Sequence, residues 1–289
     1  MTDKIEYIIF IAFSCLFKLF GIKLSRKFSS ILAVTFYYLI PIRKKTTIDN
    51  LRRAFPEYST NKINQIAFGS YKSFAIALIE ILSSPWMSKE DISNSIKWSN
   101  VELMKKKYNE NRGMILLTAH FGNWEFMALS IGLQSGIPLS IVVKAQRNTY
   151  VSDWLNRMRC KWGNKVVPLG ISIRQIYKEL KNKNVVAMVA DQRGPSDGVR
   201  VNFFGRKTSV YSGPAVLALK TKAPILYAIS VRQPDCSYTT EFVEINAGDL
   251  PESEDDKIIV LNQRMTEYLE SYIRKYPEQW LWMHKRWKY

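Results

Sequence analysis

Gly113-Met-Ile-Leu-Leu-Thr-Ala-His-Phe-Gly-Asn-Trp-Glu-Phe126 is the stretch from which the rest of the chain is read. Met114 to Thr118 is a short apolar run behind a glycine, the pattern of a strand buried on both faces. It leads into His120, one of 2 histidines in 289 residues. Phe121-Gly122-Asn123 reads as a turn followed by an N-cap. Glu125 stands five positions beyond His120. On one continuous helix, residues so spaced point about 140° apart; a strand-turn-helix junction instead lets the carboxylate fold back towards the imidazole. A carboxylate-held His has a fixed tautomer and raised basicity, which suits a general base. The plainer reading is a half-buried His at a strand end beside a Glu that serves the helix start.

Outward from this stretch, apolar runs at 114–118, 138–144, 165–169, 185–190 and 224–232 alternate with helical patterns. That alternation predicts an α/β fold, a mostly parallel sheet flanked by crossover helices. Tyr238 to Ile245 reads as an antiparallel edge strand. Ligands of open parallel sheets bind beyond the carboxyl ends of the strands, and His120, Arg147 and Asp191 all stand at such ends. Each alone is ordinarily a solvated loop residue; together, aimed at one rim, they make a candidate site. The loop from Asp191-Gln192-Arg193-Gly194 through Phe203-Phe204-Gly205 to Lys207 sets cations beside two phenylalanines. It is either a phosphate cradle near apolar surface or a pair of ordinary core anchors.

Before the sheet, Ser59-Thr60-Asn61 caps a long helix, on whose apolar stretch Glu80 is either buried and paired or faces the site. Tyr7 to Phe17 and Phe28 to Ile42 are uncharged, each short of the roughly 18 residues of a confident span. Lys23, Arg26 and Lys27 lie between them and Arg43, Lys44 and Lys45 follow, favouring the cytoplasmic side and anionic head groups. Residues 1–45 are therefore expected to anchor the chain to a membrane, by a single span or interfacially; two buried core helices are the alternative. A helical lead-in (46–100), an α/β core (101–276) and a Trp-rich strap (277–289) complete the expected organisation of a second domain, 46–289. The strap is either a membrane-interface belt or a cover over the sheet, and its His284 reads as a second base or, more simply, as structural.

Lys plus Arg number 42 against 25 acids, a net charge of +17, so partners are anionic: nucleic acid, a membrane surface or an acidic carrier protein. The 3 cysteines form no Cys-x-x-Cys, so neither a disulfide framework nor a zinc site is signalled. Gly-x-Ser-x-Gly, Walker A, Gly-x-Gly-x-x-Gly and His-Glu-x-x-His sequences are all missing. A His–Glu pair with no protein nucleophile suits direct transfer, in which an acceptor hydroxyl or amine attacks an activated acyl carbon.

These residues resemble the lysophospholipid acyltransferase superfamily and, within it, the bacterial lipid A biosynthesis acyltransferases. Thr118-Ala-His-Phe-Gly-Asn-Trp-Glu125 is similar to that superfamily's His-x4-Asp/Glu block. Asn50-Leu-Arg-Arg-Ala-Phe-Pro56, Asp191-Gln192, Phe203-Phe204-Gly205, Gly213-Pro214-Ala215 and Pro277-Glu-Gln-Trp-Leu-Trp-Met-His284 extend the likeness along the chain. The resemblance implies a glycerol-3-phosphate acyltransferase-like fold and an O-acyltransferase at the cell inner membrane, its catalytic domain on the cytoplasmic face. It implies acyl-acyl carrier protein as donor, a lipid A precursor or related glycolipid as acceptor, an anionic phospholipid surface, and no nucleic acid, metal or cofactor. By motif match His120 deprotonates the acceptor hydroxyl and Glu125 orients it. Arg147, Asp191, Gln192, Arg193, Phe204 and Gly205 then bind substrate, and backbone N–H groups at Gly122 and Asn123 meet an oxyanion. Two alternatives stay open: the same chemistry on a lysophospholipid, aminolipid or mannosylated lipid, or a non-catalytic basic protein that binds membrane or nucleic acid.

Overall fold

The computed structural model describes residues 2–169 and 173–288; Met1 and Tyr289, the limits of the expected anchor and strap, lie outside them. Among the described residues there are nine strands: β1 (Ile96–Trp98), β2 (Met114–Thr118), β3 (Leu139–Val143), β4 (Lys165–Pro168), β5 (Val185–Val189), β6 (Val199–Phe203), β7 (Arg206–Val210), β8 (Ile225–Arg232) and β9 (Tyr238–Glu244). Seven form one sheet in the order β1-β9-β8-β2-β5-β3-β4, and β6-β7 is a separate hairpin. From β8 to β4 every pairing is parallel. Only β9 turns back against β8, and β1 then runs parallel to β9. The expected antiparallel edge strand is thus one place in from the edge, covered by β1.

Every residue of β2 is buried, and its side chains alternate between two cores as the two-residue period of a strand requires. Ile115 and Leu117 face one core, with α3 (Lys44–Ala54), α4 (Thr60–Ser83), α9 (Ile173–Lys181), α10 (Gly213–Thr221), α11 (Glu254–Lys275) and the strap. Met114 and Leu116 face the other, with α6 (Val101–Asn109) and α7 (Trp124–Ser135). A third cluster gathers Phe17, Ile79, Ile92, Phe126 and Trp154, where α1 (Thr2–Lys27), α4, α5 (Lys89–Ser95), α7 and α8 (Thr149–Arg159) meet.

The two N-terminal apolar runs become α1, the short α2 (Ser29–Val34) and a π-helical turn at Thr35–Leu39. Lys18 does not end α1, which continues to Lys27 through a break at Gly21, where φ is 69° and ψ 163°. Rather than projecting, α1 lies lengthwise on the body. Asn148 donates to Asp3 O at 2.7 Å, Ser14 Oγ donates to Leu82 O at 2.7 Å, and Arg26 Nε donates to Glu80 Oε1 at 2.8 Å. Its outer face carries Ile5, Ile8, Ile9, Leu19 and Leu24 in the open, and Ile31, Tyr38, Leu39 and Ile40 continue that surface.

The stretch from Ser88 to Asn100, at the end of the expected helical lead-in, contains α5 and β1. Ser88 and Asp91 form a reciprocal capping box that starts α5. Residues 199–207, read as part of a loop, belong to the β6–β7 hairpin of residues 199–210. Phe204 and Gly205 are its two-residue turn, both at positive φ (52° and 68°), the signature of the tight turn that matches strand twist.

Candidate active site

Parallel register builds the centre of the site. Thr118 of β2 pairs with Val189 of β5, so the residues two further along each strand, His120 and Asp191, emerge side by side at the carboxyl rim. His120 N donates to Asp191 Oδ2 at 2.9 Å and His120 Nδ1 lies 2.7 Å from Asp191 Oδ1. Trp280 Nε1 donates a third hydrogen bond to Oδ2 at 2.8 Å. Burial alone would raise the pKa of Asp191, but the neighbouring His120 charge and these N–H donors outweigh it and hold the carboxyl down at about 2. An ionised carboxylate only accepts, so Nδ1 of His120 carries the proton and Nε2 is left as the basic nitrogen. For His120 itself, burial opposes protonation; Asp191, and then the charge of Glu125, overcome this and raise its pKa above 6.5. The imidazole keeps 21% side-chain exposure against 3% for the carboxylate, so the pair presents its base and hides its acid. Trp124 meets the ring edge-on, with centroids 4.7 Å apart.

Glu125 does not fold back onto His120. Asn123 Oδ1 caps α7 by accepting from Phe126 N at 3.0 Å, which places Glu125 in the first turn, turned towards α8. There Arg159 grips it with two nitrogens, Nε at 2.9 Å and NH2 at 2.5 Å. The orienting contact expected of Glu125 is made by Asp191, and Glu125 reaches His120 only through its charge.

Arg147 is likewise displaced. It follows β3, which β5 separates from β2, and it is 74% exposed while pairing with Glu6 of α1 at 2.6 Å. Gln192 is exposed beside Asp191. Arg193 stands next, its N–H donating to His284 Nε2 at 3.0 Å. That bond occupies the imidazole of His284, and burial pushes its pKa down to about 4, in keeping with a structural histidine. Phe204 and Gly205 belong to the hairpin turn: Phe204 is buried against Phe55 and Trp282, and its N–H donates to Glu270 Oε2 at 2.6 Å. Phe204 anchors the core, and Gly205 is exposed at the turn. Gly122 N–H is given to Gln279 O at 2.9 Å, and Asn123 is wholly buried as the cap.

The C-terminal segment is a strap, not an aromatic belt, for Trp280, Trp282 and Trp287 are all buried. Phe121 and Trp280 form an antiparallel bridge, and Leu281 N donates to His120 O at 3.0 Å. The strap therefore clamps the backbone on both sides of the His turn and delivers the indole to Asp191. Trp280 and Arg159 are the two site residues that sequence reading passed over. A dense Trp-and-cation segment was the only signal for the first, and i, i+34 pairing leaves none for the second.

A model of the bacterial lipid A biosynthesis acyltransferase family matches residues 2–289. The Escherichia coli lipid A biosynthesis palmitoleoyltransferase is 25% identical over 251 residues, covering 85% of this chain and 79% of the relative. The lipid A biosynthesis lauroyltransferase of the same organism is 24% identical over 248 residues, with the same two shares. A phosphatidylinositol mannoside acyltransferase of Mycolicibacterium smegmatis is 21% identical over 244 residues, covering 82% of this chain and 77% of that relative.

Proposed function

The chain belongs to the bacterial lipid A biosynthesis acyltransferase family, and from that premise we propose that it moves an acyl group from an acyl-carrier-protein thioester to a hydroxyl of a lipid A precursor, with His120 and Asp191 as the working pair. The observation that carries the reading is the 2.7 Å contact between Nδ1 of His120 and an ionised Asp191, held by adjacent parallel strands. Nε2 takes the proton of the acceptor hydroxyl as its oxygen attacks the thioester carbon. The C–O bond forms, the C–S bond breaks, and the imidazolium returns its proton to the leaving thiolate. Asp191 stabilises the imidazolium between these steps without accepting the proton, since its carboxyl stays ionised near neutral pH. Glu125, fixed by Arg159, adds negative charge on the same side and favours the same charged intermediate.

The net charge of +17 suits an acidic carrier protein as donor. Interfacial attachment fits better than a span, because α1 is bonded to the body from Asp3 to Arg26 while its other face is apolar and open. The cations that follow the apolar runs favour a cytoplasmic face. Detergent-solubilised protein incubated with lauroyl-acyl carrier protein and a panel of bacterial lipid acceptors, a lipid A precursor and a mannosylated phosphatidylinositol among them, tests the reading. Acylated product read by mass spectrometry, present with wild type and lost with H120A and D191N, is the expected result. Transfer that survives both substitutions removes the pair from the mechanism, and product on the mannosylated lipid alone reassigns the acceptor.

A further inference from the structure

Glu80 has no exposure at all, and the chemistry above makes no use of it. Both of its oxygens are engaged. Oε1 accepts from Arg26 Nε at 2.8 Å and has Arg26 NH2 2.7 Å away. Oε2 accepts from Asn123 Nδ2 at 2.8 Å and from Tyr238 OH at 2.5 Å. Arg26 lies beyond the Gly21 break, in the last turn of α1, and Asn123 caps α7 three residues past His120. One carboxylate thus joins the helix that bears the open apolar face to the turn that bears the base.

That turn has little freedom of its own. A Cβ at Gly122 would collide with Ser230 O. Gly122 O accepts from Arg232 NH2 at 3.3 Å, and Arg232 also donates to Tyr238 OH at 2.8 Å. Glu80, Tyr238, Arg232 and Asn123 therefore form one buried network beneath residues 120–123, and the charge of Glu80 is balanced on its α1 side by Arg26 alone. Breaking a buried ion pair by removing one partner strands the other charge in low dielectric, whereas removing both relieves it.

We propose that Arg26 and Glu80 are a positioning pair that ties the seating of α1 on the body to the geometry of the His120 turn. With α1 in place Arg26 neutralises Glu80, and Oε2 is free to fix the Asn123 cap and, through it, the start of α7. Without that cation the carboxylate draws on Arg232 and Tyr238 instead, and the turn loosens. The kinetic half of the test rests on the transferase reading; the structural half does not.

Full-length protein in detergent micelles, wild type beside R26Q, E80Q, R26Q/E80Q and R26K, is measured by amide hydrogen exchange over residues 119–127 and by transfer from lauroyl-acyl carrier protein to a lipid A precursor. In R26Q, exchange over 119–127 is expected to rise on the order of tenfold, and kcat to fall by a similar factor at unchanged donor KM. R26Q/E80Q is expected to recover most of both, because it removes the stranded charge. Unchanged exchange over 119–127 in R26Q overturns the proposal, as does an equal rise in β8 and α11, or a double variant no better than R26Q. Should R26Q not fold, R26K, which keeps the charge and loses the planar fork, is held to the same readouts and the same overturning results. Faster exchange over 119–127 with no transfer even by wild type leaves the linkage standing and sinks the transferase reading.

Discussion

Two buried carboxylates flank the site, and they differ in almost nothing except their partners. Asp191 is held by an imidazole, a backbone N–H and an indole; Glu125 is held by a two-pronged guanidinium. Asp191 stays ionised against His120, and Glu125 bears on the same imidazole through its charge. A guanidinium never gives up its proton near neutral pH, so the Glu125–Arg159 pair is a fixed charge arrangement. An imidazole titrates in the working range, so the His120–Asp191 pair can cycle. On the proposed mechanism chemistry follows the partner and not the carboxylate, although the Glu is the one that stands in the familiar spacing.

The sharpest way to break this comparison is to neutralise each acid in turn. D191N removes the acceptor that fixes the tautomer and stabilises the imidazolium, and is expected to lower kcat about 10²–10⁴-fold, the range of a general base, measured by product formation at saturating donor. E125Q should lower kcat far less, because it leaves the tautomer of His120 intact. Its main cost is the stranded Arg159, about 3–5 kcal/mol of stability, read by urea unfolding in detergent; E125L/R159M should recover much of that. A loss of kcat with E125Q equal to that with D191N would erase the distinction.

The pH profile sharpens the same contrast. As the proposed base His120 acts when neutral, and its pKa is raised, so the acid limb of kcat/KM is expected above 6.5 in wild type. Taking away Asp191, the larger of the two raising charges, should move that limb down further than taking away Glu125. W280F, which removes one of three donors to Asp191, is expected to cost about tenfold in kcat, the worth of one hydrogen bond to a charged group.

The smallest effect concerns the other histidine. His284 has its pKa depressed from 6.5 to about 4, so it contributes stability that is present above 6.5 and is lost as pH falls through 4. H284Q keeps an acceptor for Arg193 N–H and cannot titrate. Its urea midpoint should therefore fall less than that of wild type between pH 6.5 and 4.

The long buried strands were legible because parallel strands covered on both faces are continuous apolar runs, as in Met114–Thr118 and Val185–Val189. The hairpin was not: Val199, Val201 and Phe203 do alternate, but a turn led by Phe204 at positive φ lacks the Asn-Gly or Asp-Gly mark. His120 and Asp191 were both visible as strand-end residues, yet their contact depends on β2 and β5 being neighbours, and strand order is a tertiary fact. Arg147 shared the same strand-end signal and misled for that reason, since β5 lies between its strand and β2. The expected contact of Glu125 with His120 does not form, because an N-cap at Asn123 commits the next side chains to the helix and to whatever packs beside it.

Register between two strands has one more consequence. Strand spacing, about 4.8 Å in any sheet, sets the separation of base and acid, and the strap holds the turn just beyond the strand ends. Rim segments, where acceptor and acyl chain must be recognised, can then drift in length and composition without detuning the proton transfer. On the proposed mechanism, a chain built this way can change its product while keeping its proton relay; the similar proteins named for lauroyl, palmitoleoyl and phosphatidylinositol mannoside transfer differ in what their names say they move or modify.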